Sequence, residues 1–216
     1  MAHAKYDLRV FVNCPFDDAY TEMFEALIFT VTACGLVVVS SKAVLNGAED
    51  RMSKLKDLIG SCRYGIHDIS RTDLDLDTGL PRFNMPLELG MFLGARSFGG
   101  KRQKQKSCAI LDVSEYRYRD FISDLAGYEV MAHGNRVDQL IRQVRNWIRA
   151  LPDPDRTRVR GWEVISKLYT QFREDLPVIC RNLGLEPDTL GFHDFVAILV
   201  DWLRDPPDPP PAENDR

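Results

Sequence analysis

A single carboxylate, Glu88, stands in the otherwise apolar run Asn84-Met-Pro-Leu-Glu-Leu-Gly-Met-Phe-Leu-Gly94. Asn84 followed by Pro86 is a helix-start signal, which places Glu88 in the first turn of a helix. Upstream comes a loop of acids and turn formers, Arg71 to Arg82, and before it a hydrophobic strand ending in Asp68. An ionisable group between a strand-end loop and a helix start is well placed for chemistry on a nucleotide or sugar. Cleavage of an N-glycosidic bond passes through an oxocarbenium-like sugar, which a buried carboxylate stabilises or traps covalently. A second carboxylate binds ribose hydroxyls or assists the departing base. Glu88 is the candidate for the first role and Asp68 for the second. The same placement also suits purely structural acids. A glutamate in a first turn complements the helix dipole by about 0.3–1 kcal/mol, and Asp68 could cap its own loop.

The elements that must position these groups alternate between strand and helix. Arg9-Val-Phe-Val-Asn13 reads as a buried strand, ended by Cys14-Pro15-Phe16. Phe24, Leu27, Ile28 and Val31 have helical spacing within 18–34, and Gly35 ends that helix. Leu36-Val-Val-Val-Ser40 is a second strand, with the β-branched content of one covered on both faces. Leu55, Leu58, Ile59 and Cys62 mark a helix, and Tyr64 to Ile69 a third strand. The Glu88 helix, a strand over 107–112, a helix over 115–126 and a strand over 128–132 follow. Val137 to Ile148 forms a longer helix, closed by Pro152. This pattern predicts a flavodoxin-like, doubly wound α/β domain over residues 1–152, with a mostly parallel five-stranded sheet. Its ligand crevice lies at the carboxyl ends of the strands, so Asn13, Cys14, Pro15, Phe16, Asp68 and Ser70 should line it. Leu151-Pro-Asp-Pro-Asp155 reads as a linker. Trp162, Ile165, Leu168 and Phe172, then Phe195, Leu199, Trp202 and Leu203, indicate a helical extension over 153–204. The proline-rich stretch 205–216 reads as a disordered tail.

Composition narrows the function classes. The 216 residues are 44% hydrophobic with a net charge of −4, so the molecule as a whole does not attract nucleic acid or an anionic membrane. No apolar run approaches the roughly 20 residues that span a bilayer, and the first residues lack a signal-peptide pattern. A cytoplasmic protein is expected. Five cysteines at 14, 34, 62, 108 and 180 form no Cys-x-x-Cys pair, so neither a zinc site nor a disulfide framework is signalled. No metal or resident cofactor is expected.

The segment Asn84-Met-Pro-Leu-Glu-Leu-Gly90 resembles the Asn-x-x-x-Glu-Leu-Gly segment of bacterial TIR-like nucleotide-binding domains. In that group the glutamate cleaves the nicotinamide–ribose bond of NAD. Asn13-Cys-Pro-Phe16 after the first strand, with a Glu-Leu-Gly helix after the third, is also similar to the nucleoside 2-deoxyribosyltransferases. The resemblance covers roughly residues 7–150. It implies Glu88 as catalytic carboxylate, Asp68 as polar partner, and Asn13, Cys14, Pro15, Phe16, Ser70 and Asn84 as ligand-binding positions. NAD or a related nucleotide would be substrate rather than cofactor, and assembly into a homo-oligomer, or docking of a partner through the C-terminal helices, is implied. The transferases place an Asp-x-Gly close before their glutamate, whereas Asp77-Thr-Gly79 lies farther upstream here. The open alternatives are deoxyribosyl transfer and a non-catalytic nucleotide-sensing or partner-binding module, since a fold does not specify function.

Other features weigh less. His67, within the third strand, reads as a helix-covered core histidine, and His133, after the fifth strand, could reach the crevice. Asp73, Asp75 and Asp77 lack the downstream spacing of a calcium loop. Lys101-Arg-Gln-Lys-Gln-Lys106 reads as a solvated basic loop.

Overall fold

The computed structural model describes residues 6–43, 50–72, 79–152 and 159–206. Five parallel strands form one sheet: β1 (Arg9–Asn13), β2 (Val37–Ser40), β3 (Tyr64–Asp68), β4 (Ser107–Asp112) and β5 (Val130–Ala132), in the order β2-β1-β3-β4-β5. This is the flavodoxin-like arrangement expected from the alternation. Its strand order reverses at β1, so the carboxyl ends of β1 and β3 flank the crevice.

Two-residue alternation sorts the side chains of each strand between two helical layers. Val10 and Val12 of β1, Tyr64 and Ile66 of β3, and Ala109 and Leu111 of β4 face one layer. That layer holds α1 (Thr21–Ala33) and α4 (Val137–Arg149). Phe11 of β1 faces the other layer, formed by α2 (Arg51–Gly60) and α3 (Asn84–Phe98). Here Gly65 of β3 has a steric duty. A Cβ on it would lie 2.7 Å from His67 Nε2 and 2.8 Å from the Phe92 ring, so only glycine lets α3 sit this close to the sheet.

The C-terminal helices α5 (Trp162–Leu183) and α6 (Phe192–Trp202) complete the first layer. Both pack on α1, and Ile165, Leu168, Phe172, Phe195 and Leu199 join the same apolar cluster as Leu27, Phe29 and Val31. The Tyr169 hydroxyl donates to the Glu22 carbonyl over 3.0 Å, and Trp202 Nε1 to Asp175 Oδ2 over 2.9 Å. Helix α1 is apolar around most of its circumference, and a helix of that kind needs cover on every side. The extension supplies it.

Three expectations are corrected. Residues 115–126 form no regular helix but two short 3-10 turns, Arg117–Asp120 and Ser123–Leu125. Tyr116 adopts left-handed backbone (φ 62°), and Arg117 is drawn to the carbonyls of Ile69 and Ser70, each at 3.0 Å, and to Asp112 at 2.7 Å. Those ties bind the segment to the ends of β3 and β4 instead of letting it wind. The basic loop is not wholly solvated either. Lys106 is buried, and its ammonium donates to the carbonyls of Ile59 and Cys62 at the C-terminal end of α2. A cation there offsets unpaired carbonyls and the negative end of the helix dipole, although burial lowers its pKa to about 8. Finally, β5 is shorter than its sequence pattern, starting at Val130. Asp73, Asp75, Asp77, most of the linker and all but the first two residues of the tail lie outside the described residues.

Candidate functional site

Helix α3 is held to the sheet by Asn13. Its side-chain amide donates to the Met85 carbonyl over 2.8 Å and to His67 Nδ1 over 3.1 Å, and so joins the end of β1, the end of β3 and the first turn of α3. With Nδ1 accepting, the ring proton of His67 belongs on Nε2. Burial, with a smaller contribution from Lys106, lowers the His67 pKa to about 3, so the ring is neutral. His67 lies under Phe92, ring centroids 4.9 Å apart, as a helix-covered histidine should. Asn13 therefore has both amide hydrogens committed inside the protein.

Glu88 lies one turn farther along than expected. Asn84 is the first helical residue, Phe83 occupies the capping position without a side-chain cap, and the first turn contains no acid. Glu88 is thus not a capping residue. Its residue is 5% exposed, and the Arg51 guanidinium, on the first turn of α2, lies 3.9 Å from Oε1. Burial raises the Glu88 pKa to about 7, against which the Arg51 charge pulls it down. A buried carboxylate with one loose, exposed counter-ion is poorly compensated. It lines a cavity of about 200 Å³ between α2 and α3, with Arg51, Met52, Leu55, Asn84 and Leu87.

A second cavity of about 340 Å³ adjoins it, sharing Arg51 and Leu55. Phe16 from the β1 exit, Ser41 and Lys42 from the β2 exit, and Lys54 and Leu58 of α2 complete its wall. Three cations, one hydroxyl and one half-open ring suit the phosphates and flat parts of a nucleotide. Both cavities open where the strands end, as the topology requires.

Asp68 lies elsewhere. It is fully buried, and on β3 it follows Tyr64 and Ile66 toward the α1 layer. Tyr20 donates to Oδ2 over 2.5 Å, the Ser70 N–H donates to Oδ1 over 2.8 Å, and His133 Nε2 approaches Oδ2 to 3.1 Å at a poor hydrogen-bonding angle. Burial pushes this carboxyl up, but the contacts with His133, Ser70 and Tyr20 outweigh it, and the net pKa is below the ordinary carboxylate value. Cys14 is buried. Its thiol is pushed well up, first by burial and then by Asp68, which disfavours the thiolate.

Of the positions read from sequence, Glu88 and Asn84 share the first cavity and Phe16 lines the second. Asn13, Cys14, Pro15 and Ser70 are buried behind them. The sequence reading missed Arg51, Lys54, Ser41 and Lys42. One signal was present: Asp50 caps α2 by accepting from the Ser53 N–H over 2.9 Å, yet the next residues bring Arg51 and Lys54 to the positive end of the helix dipole. Cations are disfavoured there by the dipole, and Asp50 and Glu88 lie close enough to offset part of that cost. No helix among the described residues is long and apolar enough to cross a membrane, and among them no His, Cys, Asp and Glu side chains group into a candidate metal site. No known family, characterised protein or solved structure matches this chain, so its chemistry rests on the geometry above.

Proposed function

We propose that the protein is an N-glycosidase that cleaves the base–ribose bond of NAD or a related nucleotide through Glu88. The observation that carries this reading is the setting of Glu88: a buried carboxyl with a pKa near 7, in a cavity at the strand ends and facing a guanidinium. In its ionised form Glu88 stabilises or traps the oxocarbenium-like sugar as the C1′–N bond breaks and the base leaves with the bonding pair. Water then adds at C1′ and releases a proton. Glu88 is the one carboxyl among the described residues lining that cavity, so among them no second acid stands ready to protonate a departing base. A nicotinamide bound as the cationic pyridinium needs none, because it leaves neutral, whereas a purine leaving from a deoxynucleoside does. That asymmetry favours NAD hydrolysis over deoxyribosyl transfer.

The test follows nicotinamide release from NAD, and in parallel base exchange between deoxynucleosides. Nicotinamide should appear with the wild-type protein and fall at least a thousandfold with Glu88→Gln. Base exchange without nicotinamide release would point to the transferase. Full turnover by Glu88→Gln would remove Glu88 from the chemistry. An inert wild-type protein that still binds ADP-ribose would leave a sensing module.

A further inference from the structure

A third cavity, about 400 Å³, lies beyond the second and shares Lys42 with it. Its walls come from the start of α1 and from the C-terminal extension: Phe24 on one side, Leu190, Phe192 and Phe195 on the other. The Lys42 ammonium lies 4.8 Å from the Phe16 ring centroid and 4.7 Å from that of Phe24, so it sits against both rings at the boundary of the two cavities. Phe16 meets Phe24 edge-on at 5.5 Å and Phe24 meets Phe192 at 6.2 Å, a run of rings from the second cavity into the third. His193 closes the arrangement by donating from Nε2 to the Ala43 carbonyl over 2.8 Å, tying α6 to the exit of β2.

The electrostatic character reverses along this path. The middle cavity is cationic, with Lys42, Arg51 and Lys54. The far cavity is lined by four carboxylates, Asp18, Glu22, Glu25 and Asp188, against Lys42 and Arg173. Arg173 is taken up by Glu22 at 3.3 Å and Glu25 at 3.7 Å. A ligand spanning all three cavities therefore meets a lone carboxylate, then cations, then rings edged with hydrogen-bond acceptors.

We infer that the far cavity takes the distal nucleoside of a dinucleotide whose scissile riboside lies at Glu88, and that it excludes a nucleoside carrying a phosphate on its sugar. This rests on the N-glycosidase reading of Glu88 for the identity of the proximal half. The pyrophosphate lies over Lys42, Arg51 and Lys54. The distal base packs on the Phe24 and Phe192 rings, and its amine and ribose hydroxyls donate to the acids. A 2′-phosphate would bring about two negative charges among those carboxylates, so NAD is accepted and NADP refused. The extension is then a wall of the substrate site as well as a cover for α1.

The experiment measures binding of ADP-ribose and of 2′-phospho-ADP-ribose to full-length Glu88→Gln protein by titration calorimetry, with NAD turnover of the wild type followed separately. ADP-ribose should bind at least tenfold more tightly than its 2′-phosphorylated form. Removing two charges with Asp18→Asn and Asp188→Asn together should narrow that preference at least threefold. Phe192→Leu, which keeps apolar volume but removes the ring, should weaken ADP-ribose at least fivefold and leave ribose 5-phosphate unchanged. Equal affinities for the two ligands, an unaltered preference in the double variant, or ADP-ribose binding indifferent to Phe192→Leu would each overturn the inference. Absent NAD turnover with the ADP-ribose preference intact would instead strike the hydrolytic role of Glu88 and leave the far cavity's assignment standing.

Discussion

Asp68 and Glu88 are buried carboxyls on either side of the loop that joins β3 to α3, yet their surroundings drive them in opposite directions. Asp68 is met by a tyrosine hydroxyl, a backbone N–H and a histidine, and its pKa falls despite full burial. Glu88 is met by one guanidinium at 3.9 Å, itself 68% exposed, and its pKa rises to about 7. Burial alone penalises both anions; the number of donors aimed at each decides which penalty is repaid. The Asp68 cluster joins the approach to α1, the end of β3 and the segment after β5, which is the work of a structural acid. The under-compensated Glu88 costs stability at neutral pH, and such costs concentrate where function requires them.

The contrast can be broken most directly by neutralising each acid in turn. Glu88→Gln should remove at least a thousandfold of NAD hydrolysis, equivalent to about 4 kcal/mol in the barrier, as read from nicotinamide release. Asp68→Asn should instead cost roughly 3 kcal/mol of folding stability, because Tyr20 and His133 lose a buried anion; denaturant titration at pH 7 would show it. An unchanged midpoint would mean that the cluster is not structural.

The two acids also have opposite pH signatures. A depressed carboxyl gives stability that is present above its unfolded pKa of 3.8 and lost as pH falls through its lower folded value. A raised carboxyl gives stability that is full below 4.5 and lost as pH rises to about 7. Glu88→Gln should therefore be more stable than wild type at pH 8, by on the order of 2–3 kcal/mol, with the difference vanishing near pH 4.5. Thermal melts across that range check it, and a destabilised Gln variant at pH 8 would contradict the uncompensated state of Glu88. The ionised form being the active one, kcat/KM for NAD should rise with pH through an apparent pKa near 7. On the position of that limb Arg51→Ala has the smallest expected effect. It should move that limb upward by a few tenths of a unit, because an exposed cation 3.9 Å away is heavily screened.

Much of the architecture was legible because burial leaves periodic traces. The β-branched run at 37–39 belongs to an edge strand whose Val37 is left exposed, the spacing at 24–31 to a helix covered on most sides, and that at 140–148 to a helix covered on one. The 115–126 segment misled because Tyr118 and Leu125 are buried against Ile69, Met85, Leu89 and Ile110, while Arg117 ties the segment to the end of β3, with no helical stripe. The extension was visible as helices, but its docking site was not, although the nearly all-apolar surface of α1 was an unused clue. Glu88 could be singled out as one acid in an apolar helix. Its cavity could not, since Arg51, Lys42 and Phe16 come from separate elements that only the sheet order brings together.

By itself the chain's order of residues determined a parallel doubly wound sheet, because alternating apolar strands and amphipathic helices have few other ways to bury their faces. It also nominated two acids, Glu88 as the reacting carboxylate and Asp68 as its polar partner. Only the tertiary structure told them apart, since a carboxyl's ionisation depends on the donors, charges and water around it in space, and those arrive from distant parts of the chain.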